Sequence, residues 1–150
     1  MDDAERVAQI MVIDDDPDTV KILAHYLRRE GFNPIEATSG AEGLRLVAET
    51  RIDVILLDLM MPDMDGFAVC RALKENPRTA EIPVIMITAR DDLDARAEGM
   101  RLGVSDFLAK PVFRRQLASR IRAQLEVVET ARNATAAMDR LEAAKKRANQ

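Results

Sequence analysis

Short apolar runs alternate with amphipathic segments along this chain, and this alternation constrains its fold more than any other feature. Three runs are nearly continuous in Ile, Val, Leu and Met, which is typical of strands covered on both faces of a parallel sheet. They are Ile10–Ile13, Val54–Leu57 and Val84–Ile87, and weaker runs lie at Pro34–Ala37 and Phe107–Ala109. The pattern predicts five short parallel strands that alternate with helices.

The segments between these runs carry helical spacing and the signals that start and stop helices. The first segment has Asp16 as an N-cap, Pro17 at the first helical position and Gly31 as a stop. Its apolar stripe consists of Val20, Leu23, Ala24 and Leu27. Ser39 and Glu42 have the spacing of a capping box at the start of the second helix.

Three further helices complete the alternation. The third is predicted over Gly66–Glu75 and ends before Pro77, the fourth begins at Asp91 or Asp92, and the fifth follows Pro111. Five β-α units with right-handed crossovers predict a doubly wound α/β fold. The expected architecture is a flavodoxin-like five-stranded parallel sheet in the order 2-1-3-4-5, with an extended C-terminal helix.

Composition limits the classes of function that fit the chain. Its 47% hydrophobic and 32% charged residues are typical of a soluble globular domain with a buried core. No apolar run approaches the roughly 20 residues that span a bilayer, and the acidic first residues lack a signal-peptide pattern. Cys70 is the only cysteine, so we expect no intrachain disulfide and a cytoplasmic location. The net charge of −4 gives no support for direct nucleic-acid binding.

Polar residues follow four of the runs at the point where each predicted strand ends. They are Asp14, Asp15 and Asp16 after the first run, Asp58 after the third, Thr88 after the fourth and Lys110 after the fifth. These four strands are neighbours in the predicted sheet, and ligands of such sheets bind beyond the carboxyl ends of the strands. The sequence therefore predicts a cluster of carboxylates, a hydroxyl and an ammonium group at one sheet edge.

This set of groups suits magnesium-dependent phosphoryl transfer. Clustered carboxylates repel one another unless a cation or protons intervene, and compact sites of hard oxygen ligands suit Mg²⁺. Lys110 supplies a positive charge for a phosphoryl oxygen, and Thr88 supplies a hydroxyl donor. A carboxylate is an accepted nucleophile in this chemistry and forms an acyl phosphate.

From about Ile10 to about Leu125 the chain resembles the bacterial response-regulator receiver family. Four motifs carry the resemblance, in the family's order and at its spacing: MVIDDDP, LLDLMMPDMDG, VIMITA and DFLAKP. The resemblance implies that Asp58 accepts a phosphoryl group and that a sensor histidine kinase or a phosphotransfer protein donates it. It also implies Mg²⁺ as the cofactor.

The resemblance assigns roles to the other residues of the cluster. The implied magnesium ligands, bound directly or through water, are Asp14, Asp15, Asp58 and the backbone carbonyl of Met60. Asp15 is the direct ligand of the acidic pair, and Asp14 acts mostly through water. Thr88 moves toward the phosphoryl group and bonds it, and Lys110 pairs with it next to a cis Lys110-Pro111 peptide bond.

Three residues distinguish this chain from the family's usual pattern. Phe107 stands at the rotating aromatic switch, which is often tyrosine, and it has no hydroxyl to bond a partner when it turns inward. Met60 and Arg90 lie two residues past Asp58 and Thr88, where the family's side chains flank the water that attacks the phosphoryl group. Because Met60 cannot position a water, we expect a long-lived phosphorylated state in which Arg90 shields the phosphoryl group.

The C-terminal segment contains no Gly or Pro after Pro111 and is rich in strong helix formers. It predicts a helix of 39 residues that is about 58 Å long. The residues expected to face the sheet are Phe113, Leu117, Ile121 and Leu125. The remainder has heptad spacing, which predicts a parallel homodimer through Ala131, Ala134, Met138, Leu141, Lys145 and Ala148. A solvated helix without a partner is the alternative.

We therefore expect an N-terminal arm at 1–8, a receiver domain at 9–128 and a helical, coiled-coil linker at 129–150. The linker is similar to those that precede histidine kinase or diguanylate cyclase domains, as expected of a segment excised from a longer protein. The leading function is a phosphorylation-switched receiver that catalyses nothing beyond its own phosphorylation and dephosphorylation. The alternatives are a phosphatase, which needs an aspartate where Met60 stands, and a phosphorylation-independent pseudo-receiver used for dimerisation.

Overall fold

The computed structural model describes residues 6–90 and 92–149, which form five β-α units. The strands are β1 Gln9–Ile13, β2 Asn33–Ala37, β3 Val54–Leu57, β4 Val84–Thr88 and β5 Asp106–Ala109. The helices are α1 Pro17–Arg29, α2 Gly40–Glu49, α3 Gly66–Glu75, α4 Leu93–Arg101 and α5 Arg114–Ala148. Every predicted element is present. Asp91, Gln150 and residues 1–5 of the predicted arm lie outside the described residues.

The five strands form one parallel sheet in the order β2-β1-β3-β4-β5, which confirms the predicted topology. Alternate residues of each strand enter two core layers. On β1, Ile10 and Val12 pack with α1 and α5, whereas Met11 and Ile13 pack on the other face with α2, α3 and α4. Because helices cover both faces, the central strands are continuous apolar runs, and their carboxyl ends meet at one edge of the sheet.

Local capping signals start the helices at the predicted positions. Asp16 caps α1 by accepting from the N–H of Asp18 at 3.1 Å, in agreement with its prediction as a cap. At α2, Ser39 accepts from the N–H of Glu42 at 3.1 Å. The Glu42 carboxylate returns to the N–H of Thr38 at 2.8 Å, one residue before the cap. α4 begins after Asp92, whose carboxylate accepts from the N–H of Ala95 at 2.7 Å.

Three of the four residues that the C-terminal helix was predicted to place on the sheet are packed there, and Ala118 is buried as well. Leu117 and Ile121 are fully buried and Leu125 is partly buried, as expected. The prediction for Phe113 is wrong, because this residue is the extended N-cap of α5 and its side chain is 66% exposed.

Ion pairs tie the start of α5 to the end of α1. Glu30 accepts from Arg122 at 3.0 Å and lies 3.4 Å from Arg114, so the carboxylate of one helix holds two guanidinium groups of the other. Beyond this region α5 carries exposed apolar side chains such as Val127 and Leu141. Within residues 6–90 and 92–149, α5 included, no helix combines the length and the apolarity needed to cross a membrane.

Candidate functional site

The carboxyl ends of β1 and β3 bring three carboxylates together. Backbone hydrogen bonds hold the two strand ends in place, since the N–H of Asp58 donates to the carbonyl of Ile13 at 2.9 Å. One oxygen each from Asp14, Asp15 and Asp58 lies within 4.8 Å of the others. Asp14 and Asp58 are buried, whereas Asp15 is exposed, so the cluster opens to solvent through Asp15.

Lys110 directly follows β5, and its ammonium group contacts two of the three carboxylates. Its Nζ donates to Oδ2 of Asp14 at 2.9 Å and lies 3.5 Å from Oδ2 of Asp58. The Lys110-Pro111 peptide bond is cis, as predicted. The cluster thus has three carboxylates and one ammonium group, and the excess of negative charge suits a divalent cation.

Thr88 is the last residue of β4 and is fully buried next to this edge of the sheet. Its carbonyl accepts from the backbone N–H of Lys110 at 3.0 Å, which fixes the two strand ends relative to each other. Its Oγ1 accepts from the N–H of Arg90 at 3.1 Å. An accepting hydroxyl keeps its own proton for donation to a ligand.

Burial and neighbouring charges shift the two central ionisable groups. Burial raises the pKa of Asp58, the charge of Asp14 raises it further, and Lys110 and the N–H of Met60 oppose this rise only in part. Burial alone would lower the pKa of Lys110. The hydrogen bond to Asp14 and the charges of Asp14 and Asp58 outweigh burial and raise that pKa. The surroundings therefore favour the charged form of Lys110 and disfavour the ionised form of the Asp58 carboxylate.

The loop between β3 and α3 places Met60 next to the carboxylate cluster. The N–H of Met60 donates to Oδ1 of Asp58 at 3.3 Å, and the Met60 side chain is 57% exposed. With Arg90 and their neighbours it lines a hollow of about 450 Å³. The structure therefore brings Met60 and Arg90 to one surface, as their matching positions after β3 and β4 predicted.

Gly66 is a site residue that the sequence reasoning did not identify as one. A Cβ at this position would lie 2.6 Å from the carbonyl oxygen of Asp58 and 2.8 Å from Cα of Leu59. The start of α3 must therefore pass directly over the backbone of Asp58, which only glycine permits. The signal was available in the run MDG, where a glycine follows the cap Asp65.

Phe107 does not join the carboxylate cluster. It is a residue of β5, is 5% exposed, and lies on the face of the sheet covered by α4. The guanidinium carbon of Arg96 lies 5.5 Å from the centre of the ring. The predicted switch residue is therefore inward in this structure.

The fold and the acidic edge together define a class of protein. A doubly wound sheet with acidic residues after β1 and β3, a hydroxyl after β4 and a lysine after β5 is the arrangement expected of a receiver domain. Residues 10–122 match the model of the response regulator receiver domain, and the chain belongs to that family.

Known proteins agree with this assignment. Response regulator PleD of Caulobacter vibrioides is 44% identical over 115 residues, which are 77% of this chain and 25% of that protein. The receiver domain of a signal transduction histidine kinase from Syntrophus aciditrophicus has a TM-score of 0.75 and 34% identity, covering 81% of this chain and 92% of that one. Chemotaxis protein CheY4 of Vibrio cholerae has a TM-score of 0.77 and 27% identity, covering 80% and 100%. The chain spans between a quarter and about half of the curated relatives it matches.

Proposed function

We propose that this receiver domain is a phosphoacceptor switch in which Asp58 receives a phosphoryl group. One observation carries the proposal: the Lys110 ammonium lies 2.9 Å from Asp14 and 3.5 Å from the buried carboxylate of Asp58. An oxygen of Asp58 would attack phosphorus and form an acyl phosphate as the bond to the leaving group breaks. Lys110 then balances the charge of the phosphoryl oxygens, and Thr88 donates to one of them.

Mg²⁺ is the cofactor that this arrangement fits. Asp14 is already bonded through both oxygens, to the N–H of Asp16 at 3.0 Å and to Lys110 at 2.9 Å. Asp15 is exposed to solvent. This difference supports Asp15 and Asp58 as direct ligands, with the Met60 carbonyl, and Asp14 as a ligand through water. When bound, the ion supplies neutralising charge to the oxygens of the transferring group.

Millimolar Mg²⁺ is expected to raise the melting temperature of the unphosphorylated protein. The ion would offset repulsion among Asp14, Asp15 and Asp58, and a ligand that binds only the folded state stabilises it by about 2.7 kcal/mol at 100 times its Kd. Thermal melts with and without Mg²⁺ measure the shift. Asp15→Asn should lose most of it, and Asp63→Asn, an exposed aspartate outside the cluster, should retain it. Equal shifts in both variants would count against the site.

A phosphodonor assay separates the phosphoacceptor from its two alternatives. With acetyl phosphate and Mg²⁺, a switch takes up about one phosphoryl group per chain, a phosphatase turns over and a pseudo-receiver takes up none. Met60 supports the first outcome over the second, because its thioether cannot act as the general acid that a phosphatase of this type requires. The complete set of Asp14, Asp15, Asp58, Thr88 and Lys110 supports it over the third.

We further propose that the donor is a sensor histidine kinase or phosphotransfer protein in the cytoplasm, and that the chain acts as a parallel homodimer. The dimer would form through α5, whose exposed apolar residues include Val127, Met138 and Leu141. In such a dimer, phosphorylation of Asp58 would alter how the two receiver domains pack on the paired α5 helices.

The phosphorylated state is expected to be long-lived, and Met60→Asn is expected to shorten its half-life. An amide at this exposed position can hydrogen-bond the attacking water, whereas the thioether cannot. We expect an acceleration on the order of tenfold, below the 10²–10⁴ of a full general base. Decay of purified phosphoprotein after removal of the donor gives the rate. Met60→Leu is the matched apolar control and should decay like the wild type; equal rates in all three proteins would exclude Met60 as the cause.

A further inference from the structure

The ring of Phe107 occupies space that exists only because residue 99 is glycine. A Cβ at Gly99 would lie 2.4 Å from Cζ and 2.6 Å from Cε2 of Phe107, well inside van der Waals contact. Phe107 is only 5% exposed. It is therefore seated in a socket that Gly99 opens between β5 and α4.

Helix α4 contributes only small side chains to the core. Its buried residues are Ala95 and Gly99, while its large apolar residues Leu93 and Met100 are 85% and 65% exposed. Two such small residues leave a gap between the helix and the sheet, and protein interiors do not tolerate unfilled gaps of this size. Phe107 of β5, together with Val104 from the connection between α4 and β5, fills it. The position of α4 therefore depends on the ring.

The same helix is connected to the edge of the sheet that carries the carboxylate cluster. Phe107 pairs with Met86 of β4, and Thr88 lies two residues further along that strand, so both side chains face the same layer. The loop after β4 begins with the bond from the Arg90 N–H to Thr88 and reaches Asp92, the cap of α4. The N-terminus of α4 is thus connected to the site through the loop after β4, and the buried side of α4 packs on the ring of Phe107.

We infer that Gly99 is a positioning residue: it holds a socket open for Phe107, and the ring seated there in the unphosphorylated domain fixes α4 to the sheet. The inward position is then the resting position of the aromatic residue in this chain. The regulatory meaning rests on the proposed function. Phosphorylation would move α4 relative to a ring that is already seated, with no inward rotation of Phe107 required.

Proton NMR of the unphosphorylated full-length chain tests the resting position directly. We expect nuclear Overhauser contacts between the ring protons of Phe107 and the two α-protons of Gly99 before any donor is added. A ring without these contacts, or with the contacts only after addition of acetyl phosphate and Mg²⁺, would overturn the inference. A ring in contact with Gly99 in a protein that takes up no phosphoryl group would leave the socket intact and reject the proposed function.

A double-mutant cycle tests whether Gly99 acts through the ring. Alanine is a better helix former than glycine, so Gly99→Ala should raise the melting temperature by about 2–4 °C if nothing obstructs it. With Phe107 in the socket we expect a fall of about 3–8 °C instead. In a Phe107→Leu background, whose shorter side chain leaves room for the methyl group, Gly99→Ala should raise the melting temperature. This reversal of sign would not arise from a purely local effect of residue 99.

Ala97→Gly is the matched control, since Ala97 is exposed on the same helix. It should lower the melting temperature equally in the wild type and in Phe107→Leu. Hydrogen exchange of the α4 amides supplies a second measurement, and we expect at least a tenfold acceleration in Gly99→Ala and a return toward the Phe107→Leu rate in the double variant. Additive effects of the two substitutions, or a rise in the melting temperature of Gly99→Ala alone, would overturn the inference.

Discussion

Asp58→Asn is expected to abolish Mg²⁺-dependent labelling by acetyl phosphate. The amide has nearly the shape of the carboxylate but no oxygen with the charge and nucleophilicity that attack on phosphorus requires. Intact-mass spectrometry after incubation with the donor measures uptake. Asp63→Asn, which removes an exposed aspartate on the same loop, should label like the wild type. Undiminished labelling of Asp58→Asn would show that another residue accepts the phosphoryl group.

The same substitution is not expected to harm the fold, so loss of labelling can be attributed to chemistry. Burial and the charge of Asp14 raise the pKa of Asp58, which means that folding disfavours its ionised form. Stability from such a group is present at low pH and is lost as pH rises through the raised pKa. At neutral pH without Mg²⁺, the neutral amide should therefore melt no lower than the wild type. Lys110 keeps its shorter bond to Asp14 at 2.9 Å.

The arrangement of strands and the acidic edge could be predicted because both follow from local patterns and one topological rule. Each central strand is an apolar run, and each of the helices α1 to α4 is directly preceded by a side-chain cap such as Asp16 or Ser39. Once the order 2-1-3-4-5 is set, the residues after β1, β3 and β5 must meet. For this reason the contact between Lys110 and Asp14, 96 positions apart, was within reach of sequence reasoning.

Side-chain placement away from strand ends was not within reach, because it depends on packing between elements. The α5 pattern placed Phe113 on the buried face, but the helix begins one residue later and Phe113 is exposed. Similarly, nothing in the spacing of Gly99 and Phe107 shows that a ring fills the place of a missing Cβ. Gly66 shows the same limit, since its role depends on how closely α3 passes over Asp58.

The exposed half of α5 presents an apolar stripe on which the proposed dimer rests. Val127, which is 62% exposed, lies four residues before Ala131 and extends the predicted heptad stripe toward the receiver. The stripe differs from the face used on the sheet, since Leu125 packs on the core while Val127 does not. Met138 and Leu141, 58% and 64% exposed, are its largest members. Parallel pairing would hold both receivers at one end of the rod.

A side-chain contact joins the receiver's sheet to the helix that carries this stripe. Arg120 lies seven residues before Val127 on α5, and its guanidinium bonds both oxygens of Asp106 on β5 at 2.8 Å. Asp106 directly precedes Phe107. A change at β5 or α4 would therefore reach α5 on the side where the second helix is expected. Half of the six predicted seam positions are alanine and gain little on burial, so a bias of a few kcal/mol could reverse the equilibrium between two packings of the receivers.

Charges in the seam are expected to separate the two copies. Met138→Glu combined with Leu141→Glu removes side chains worth about 1.5–3 kcal/mol each on burial and places like charges in contact. The dimer Kd should therefore rise by about a hundredfold or more. Light scattering should then report the 16.7 kDa monomer, whereas we expect twice that mass for the wild type. The matched control is Ala136→Glu with Ala143→Glu, which adds the same charge to the opposite side of α5 and should remain dimeric. A wild-type chain that stays monomeric at high concentration, even when phosphorylated, would refute the dimer and leave this part of α5 as a solvated helix.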